Sequence, residues 1–94
     1  MTKINSKKRV TFQHYEPEAS NISLVGNFNN WDIYSHPLKQ RQNGEGNGRW
    51  QKIIYLEPGV YEYRFVVDGV WQNDPQCEER CANEFGDENC VLRV

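Results

Sequence analysis

Short runs of alternating apolar and polar residues, turn-forming dipeptides between them and no sustained helical period predict an all-β fold, an antiparallel β-sandwich. The clearest run is VYEYRFVVDG at 60–69. Tyr61, Tyr63, Phe65 and Val67 share one face, and Glu62, Arg64, Val66 and Asp68 share the other. That alternation buries the first face and leaves the second partly wet.

From the N-terminus, residues 1–8 read as a flexible tail, and 9–94 as one β-sandwich domain. A chain of 94 residues suits one domain. RVTFQHY (9–15) sets Val10, Phe12 and His14 against Thr11, Gln13 and Tyr15, a strand pattern. NISLVGNF (21–28) is a second strand, with Ile22, Leu24 and Gly26 on one face. Residues 29–49 are rich in Asn, Gly, Gln and charge and read as a loop, with NGEGNG (43–48) as a hairpin tip. RWQKIIYL (49–56) is the next strand, and EPG (57–59) turns it into the run at 60–69. Asp68-Gly69 makes a tight turn into VWQND. Residues 74–88 are polar and irregular, with the one hint of a helical turn at CEERCANE (77–84), and NCVLRV (89–94) closes the chain as a strand.

Composition excludes several functions. A net charge of −2 and a pI near 5.6 argue against nucleic acid or an anionic membrane as partner. The longest apolar runs, IIYL and FVV, are too short to span a bilayer. The basic N-terminus lacks an apolar segment behind it, so no signal peptide is expected and the location reads as cytoplasmic. Cys77, Cys81 and Cys90 are odd in number, which there suggests free thiols. Their spacing lacks paired CxxC and a fourth ligand, so no metal is expected. His14 lies in a strand and His36 precedes a proline, and neither stands beside a nucleophile. NGEGNG lacks the Lys-Ser/Thr ending of a phosphate loop. NIS (21–23) matches a glycosylation acceptor, which is without meaning in the cytoplasm. Glu78 and Glu79 read as a solvated pair. Nothing pairs Glu62, Asp68, Asp74 and Asp87 across a scissile bond, so no catalytic residue and no cofactor is expected.

The aromatic share, 13% in a chain only 37% hydrophobic, requires that rings build the core or serve a surface. Trp50 opens an apolar strand and reads as core. Trp31 follows a turn in VGNFNNWD (25–32), and Trp71 follows the Asp68-Gly69 turn. Residue types alone leave core and ligand platform open for both. In a sandwich they can converge with Arg64 and Asn89. Such a group suits a sugar chain, because a pyranose lays its C–H face on an indole while its hydroxyls take Arg, Asn and Asp. Two splayed Trp would follow a curved glucan.

GNFNNWD, then PL, an apolar strand, PGVYEYRFVVDGVWQNDP and finally NEFGDENCVLRV resemble carbohydrate-binding module family 48 over residues 9–94. That family includes the glycogen-binding domain of the AMP-activated protein kinase β subunit and the N-terminal domains of isoamylases and glycogen branching enzymes. The ordered set G-x-F-N-x-W, Y-x-Y-[RK]-F-x-V-D-G-x-W and D-P is specific, though each motif alone is weak. The resemblance implies an immunoglobulin-like sandwich of the early-set type and a non-catalytic module that binds α-1,4-glucan such as glycogen or starch. It implies that Trp31 and Trp71 stack on sugar and that Arg64 fills the basic position. Phe85 stands at a Leu position, Asp87 at a Thr position and Asn89 at the Asn position. Arg64 keeps the charge and adds a planar fork. Phe85 adds a ring, and Asp87 either accepts from two hydroxyls or repels a differently arranged rim. A shallow groove implies a Kd of about 10 μM to 1 mM for a short oligosaccharide. The expected state is a monomer. The alternative is a structural or protein-interaction module that recruits or regulates a partner enzyme without binding sugar.

Overall fold

A computed structural model of the chain describes residues 7–40 and 48–94. Among them run eight strands: β1 (Lys8–Tyr15), β2 (Ile22–Gly26), β3 (Lys39–Gln40), β4 (Arg49–Leu56), β5 (Val60–Val67), β6 (Val70–Gln72), β7 (Arg80–Ala82) and β8 (Glu88–Arg93). One sheet has the order β1-β4-β3, the other β2-β5-β8-β7 with β6 also on β5, and every pairing is antiparallel. The two inner faces supply the core. Phe12, Trp50, Ile54 and Leu56 come from the first sheet, and Ile22, Leu24, Tyr63, Phe65, Val67 and Cys90 from the second. Phe12 meets Tyr63 edge-on at 5.0 Å, a contact that joins the sheets. Trp50 is buried as expected and donates its Nε1–H to the Glu16 carbonyl at 2.9 Å.

The strand reading of the sequence agrees with this architecture and departs from it in particular places. β1 begins at Lys8, one residue before the expected boundary, and residues 1–6 lie outside the described residues. The stretch 29–49 holds a two-residue strand, β3, paired with β4 through Lys39 and Gln51. The expected hairpin tip at 43–48 lies outside the described residues apart from Gly48. CEERCANE forms no helical turn. Its centre is β7, drawn into the ladder by β8 through Arg80–Cys90, Cys81–Asn89 and Ala82–Glu88. His14 is buried against Phe65 at 4.8 Å, and its Nε2 has no hydrogen-bond partner.

The cysteine expectation is corrected. A disulfide joins Cys77 to Cys90, and Cys81 alone is free. Cys90 faces the core on β8 and is fully buried. The loop after β6 folds back over it and brings the two Cα atoms to 6.0 Å, a separation that suits a bridge. Disulfides persist in oxidising compartments, so the cysteines do not argue for a reducing one.

Asp74 anchors that loop. It is buried, accepts the Tyr63 hydroxyl at 2.8 Å and takes the Gln76 amide at 2.9 Å. Burial, then the bond to Asp74, pushes the Tyr63 hydroxyl's pKa well above its ordinary value. A raised folded-state pKa stabilises the fold below the unfolded pKa of about 10 and loses that contribution as pH climbs past it. Stability measured by urea titration should therefore fall steadily above pH ~10. Tyr63→Phe should remove part of that slope, at a cost of about 1–2 kcal/mol for the stranded Asp74.

Candidate functional site

The turn after β2 is built residue by residue to present Trp31. A Cβ on Gly26 would lie 2.6 Å from the Glu62 carbonyl oxygen, so only glycine fits there. Phe28 points inward, with its ring 6.1 Å from Phe12 and 6.2 Å from Tyr61. Asn29 closes the turn. Its Oδ1 accepts the Gly26 amide at 3.1 Å, and its Nδ2 donates to the Leu24 carbonyl at 3.1 Å and to His36 Nδ1 at 3.0 Å. Burial, and secondly Lys52, lowers the His36 pKa against the opposing pull of Asp32, which keeps the ring neutral as an acceptor. The Gly26 carbonyl then takes the amides of Asn29 and Trp31 at 3.1 and 2.9 Å.

Asn30 and Trp31 both sit at a φ of 57°. That left-handed backbone costs a non-glycine residue about 1–2 kcal/mol and is least natural for a bulky ring. The surrounding bonds impose it against that cost. Gly26→Ala should force the Glu62 backbone to move, lower stability by about 2–3 kcal/mol and displace Trp31. Thermal melting and the Trp31 indole NMR signal check both effects.

The second tryptophan comes from the hairpin between β5 and β6. Asp68 at φ 48° and Gly69 at φ 84° form its tight turn. Asp68 is used structurally, accepting the amides of Ser20 and Asn21 at 2.9 and 2.8 Å. Val66 pairs with Trp71, and Glu62 with Val91. By this register Glu62, Arg64, Trp71 and Asn89 share the sheet face turned away from the core. Trp71 remains 43% exposed, with the Arg64 guanidinium carbon 5.9 Å from its ring centroid. Arg64 Nη2 lies 3.2 Å from Asp87 Oδ2, while Arg64 Nε is buried without a hydrogen-bond partner. The Glu88 amide, and then Arg64, lowers the Asp87 pKa and keeps it ionised.

The turn between β7 and β8 supplies the third wall. Asn83 Oδ1 accepts the amides of Phe85 and Asp87 at 2.9 and 3.1 Å, and Gly86 at φ 82° completes the bend. Phe85 stands on its tip, 86% exposed. The result is an open groove of about 850 Å³ lined by all six residues singled out in the sequence: Trp31, Arg64, Trp71, Phe85, Asp87 and Asn89.

Asn89 differs from the simple expectation of a ligand contact. It is buried, donates to Glu62 Oε1 at 3.0 Å and accepts from Asn83 Nδ2 at 3.1 Å. It ties the third wall to β5. Glu62, Asn83 and Glu84 also line or shape the groove and were missed as site residues. Glu62 was legible on the wet face beside Arg64, whereas the part played by Asn83 exists only once its turn is folded. Among the described residues, no cluster of three His, Cys, Asp or Glu could hold a metal. No helix among them is long and apolar enough to cross a membrane.

Residues 9–94 match the family described as the glycogen recognition site of AMP-activated protein kinase. The chain is 33% identical over 89 residues to protein FLOURY ENDOSPERM 6, chloroplastic, from Oryza sativa subsp. japonica, covering 95% of this chain and 16% of that protein. It is 29% identical over 92 residues to 5'-AMP-activated protein kinase subunit beta-1 from Sus scrofa, covering 98% of this chain and 69% of that one. It is 39% identical over 86 residues to a 1,4-alpha-glucan branching enzyme from Prochlorococcus marinus (strain NATL1A), covering 92% of this chain and 10% of that one. The chain thus spans a small fraction of the rice and Prochlorococcus proteins and about two thirds of the pig subunit.

Proposed function

The chain belongs to the glycogen-recognition family of AMP-activated protein kinase, and from that premise we propose that its groove binds α-1,4-glucan by stacking glucose rings on Trp31 and Trp71. The observation that carries the reading is the convergence on one groove of two tryptophans, Trp31 held in a left-handed turn and Trp71 on the short strand that follows the Asp68-Gly69 turn. Apolar pyranose faces lie against the indoles. Phe85 extends the aromatic wall, and Arg64 backs Trp71 from one side. Asp87 and Glu62 accept sugar hydroxyls, with charge-assisted bonds that are stronger than neutral ones. Asn89 positions Glu62 and the Phe85 turn.

The domain is a carbohydrate-binding module and is not itself catalytic. Asp68 and Asp74 are committed to backbone amides and to Tyr63, which supports that reading. A partner enzyme is the second reading. It draws on the pig relative, a kinase subunit by name, and on the 86% exposure of Phe85, which suits a protein interface equally well. A monomer in the cytoplasm is part of the proposal. The rice relative's name carries the word chloroplastic, so imaging of the tagged chain decides location.

The test is a maltoheptaose titration followed by tryptophan fluorescence and amide NMR. Saturable shifts at Trp31, Arg64, Trp71 and Asn89 are expected, with a Kd of about 10 μM to 1 mM. The absence of shifts at several millimolar sugar would overturn the glucan reading.

A further inference from the structure

The charges in the groove are unequal. Among the described residues, three carboxylates line it, Glu62, Glu84 and Asp87, against one guanidinium, Arg64. Arg64 is already engaged. Its Nη2 pairs with Asp87, its plane lies near Trp71, and its Nε is buried where a ligand cannot reach it. Glu62 accepts a neutral amide from Asn89, which leaves its charge uncancelled. Among the described residues, neither Glu62 nor Glu84 has a cation at ion-pair distance. The nearby Arg80 is tied to the Asp74 carbonyl and Cys77 Sγ. The groove therefore presents two unbalanced negative charges beside its aromatic platform.

We propose that this site selects neutral glucan and discriminates against the same glucan carrying phosphate monoesters, through Glu62, Glu84 and Asp87. The inference rests on the glucan reading and narrows its substrate class. Hydroxyl rims gain from the carboxylates as acceptors, whereas a phosphate brings close to two negative charges of its own. The groove is open, so water and salt screen the repulsion. For a dianion about 7 Å from two unbalanced carboxylates in water, the affinity ratio is about 25-fold at 10 mM salt. It falls to about 5-fold at physiological ionic strength and below about 2-fold at 1 M.

The experiment measures Kd for maltoheptaose and for maltoheptaose bearing one 6-phosphate, by calorimetry on the full chain at pH 7.5 and three salt concentrations. The neutral sugar should bind more tightly, by a ratio that collapses with salt. Glu84→Gln combined with Asp87→Asn, both at exposed positions, should bring the ratio to about one at every salt concentration, since it cancels the excess charge and releases Arg64. The salt series on the unaltered chain tests the same point without any substitution. Equal affinities at low salt, or a ratio indifferent to salt, would overturn this inference alone. Binding of neither sugar would overturn the glucan reading and this inference with it.

Discussion

Alanine at both Trp31 and Trp71 should weaken maltoheptaose binding by more than about 100-fold. Each aromatic stacking platform is worth roughly 1–3 kcal/mol when truncated, and central anchor residues reach about 2 kcal/mol or more. A single loss of ~2 kcal/mol lowers affinity about 30-fold, and the double loss carries a module of micromolar to millimolar affinity out of measurable range. Under the proposed reading the two rings grip one chain, so the effects are not simply additive. Folding should survive. Trp71 is 43% exposed on the short strand β6, and alanine at Trp31 is smaller in the same left-handed backbone. Unchanged thermal melting alongside lost NMR shifts is the expected pair of results. Binding within about 3-fold of the unaltered chain would mean that the tryptophans are not the platform. Trp50 is the contrast: it is buried and bonded to Glu16, so its replacement should lower the melting temperature first.

Breaking the Cys77–Cys90 bridge should cost about 3 kcal/mol of stability. The loop it closes has a sequence separation of 13, and closing a loop of that size in the unfolded chain is worth about 3 kcal/mol by chain entropy. A domain this small has about 5–10 kcal/mol in total, so the loss is a large share. The melting temperature should drop by about 12–24 °C in reductant or in a Cys77→Ser/Cys90→Ser variant. Function should weaken with it. Cys90 adjoins Asn89, which holds Glu62 and the turn carrying Phe85. Equal melting curves with and without reductant would show that the bridge adds no stability. Mass spectrometry of the alkylated protein reports its oxidation state independently.

Much of the fold was legible because its causes are local. The strands at 9–15, 49–56 and 60–67 each alternate over several residues, and a sheet with one buried face can satisfy that pattern in only one register. Asp68-Gly69 announces a hairpin because few residue pairs tolerate two successive positive φ values. β3 was hidden because two residues have no period. β7 was hidden inside a polar, charged segment because it takes its structure from pairing with β8.

The sequence alone determined that this is a β-sandwich of the glycogen-recognition family with two tryptophans that each follow a turn signal. The Gly26–Asn29 turn and the positive-φ Asp68-Gly69 turn act through bonds and backbone preferences within a few residues, which a linear reading can see, whereas the approach of Gly26 to Glu62 and the bonds of Asp68 to Ser20 and Asn21 exist only in the folded chain. What the tertiary structure decided depends on distances between segments remote in the chain. Cys77 finds Cys90 because the loop bearing Asp74 folds over β8. Asp87 reaches Arg64, and Asn89 turns to Glu62, because β8 lies beside β5. These contacts set which groups face the groove and which are consumed in holding it. Coulomb and hydrogen-bond energies fall steeply over a few ångströms, and residue order does not state those distances.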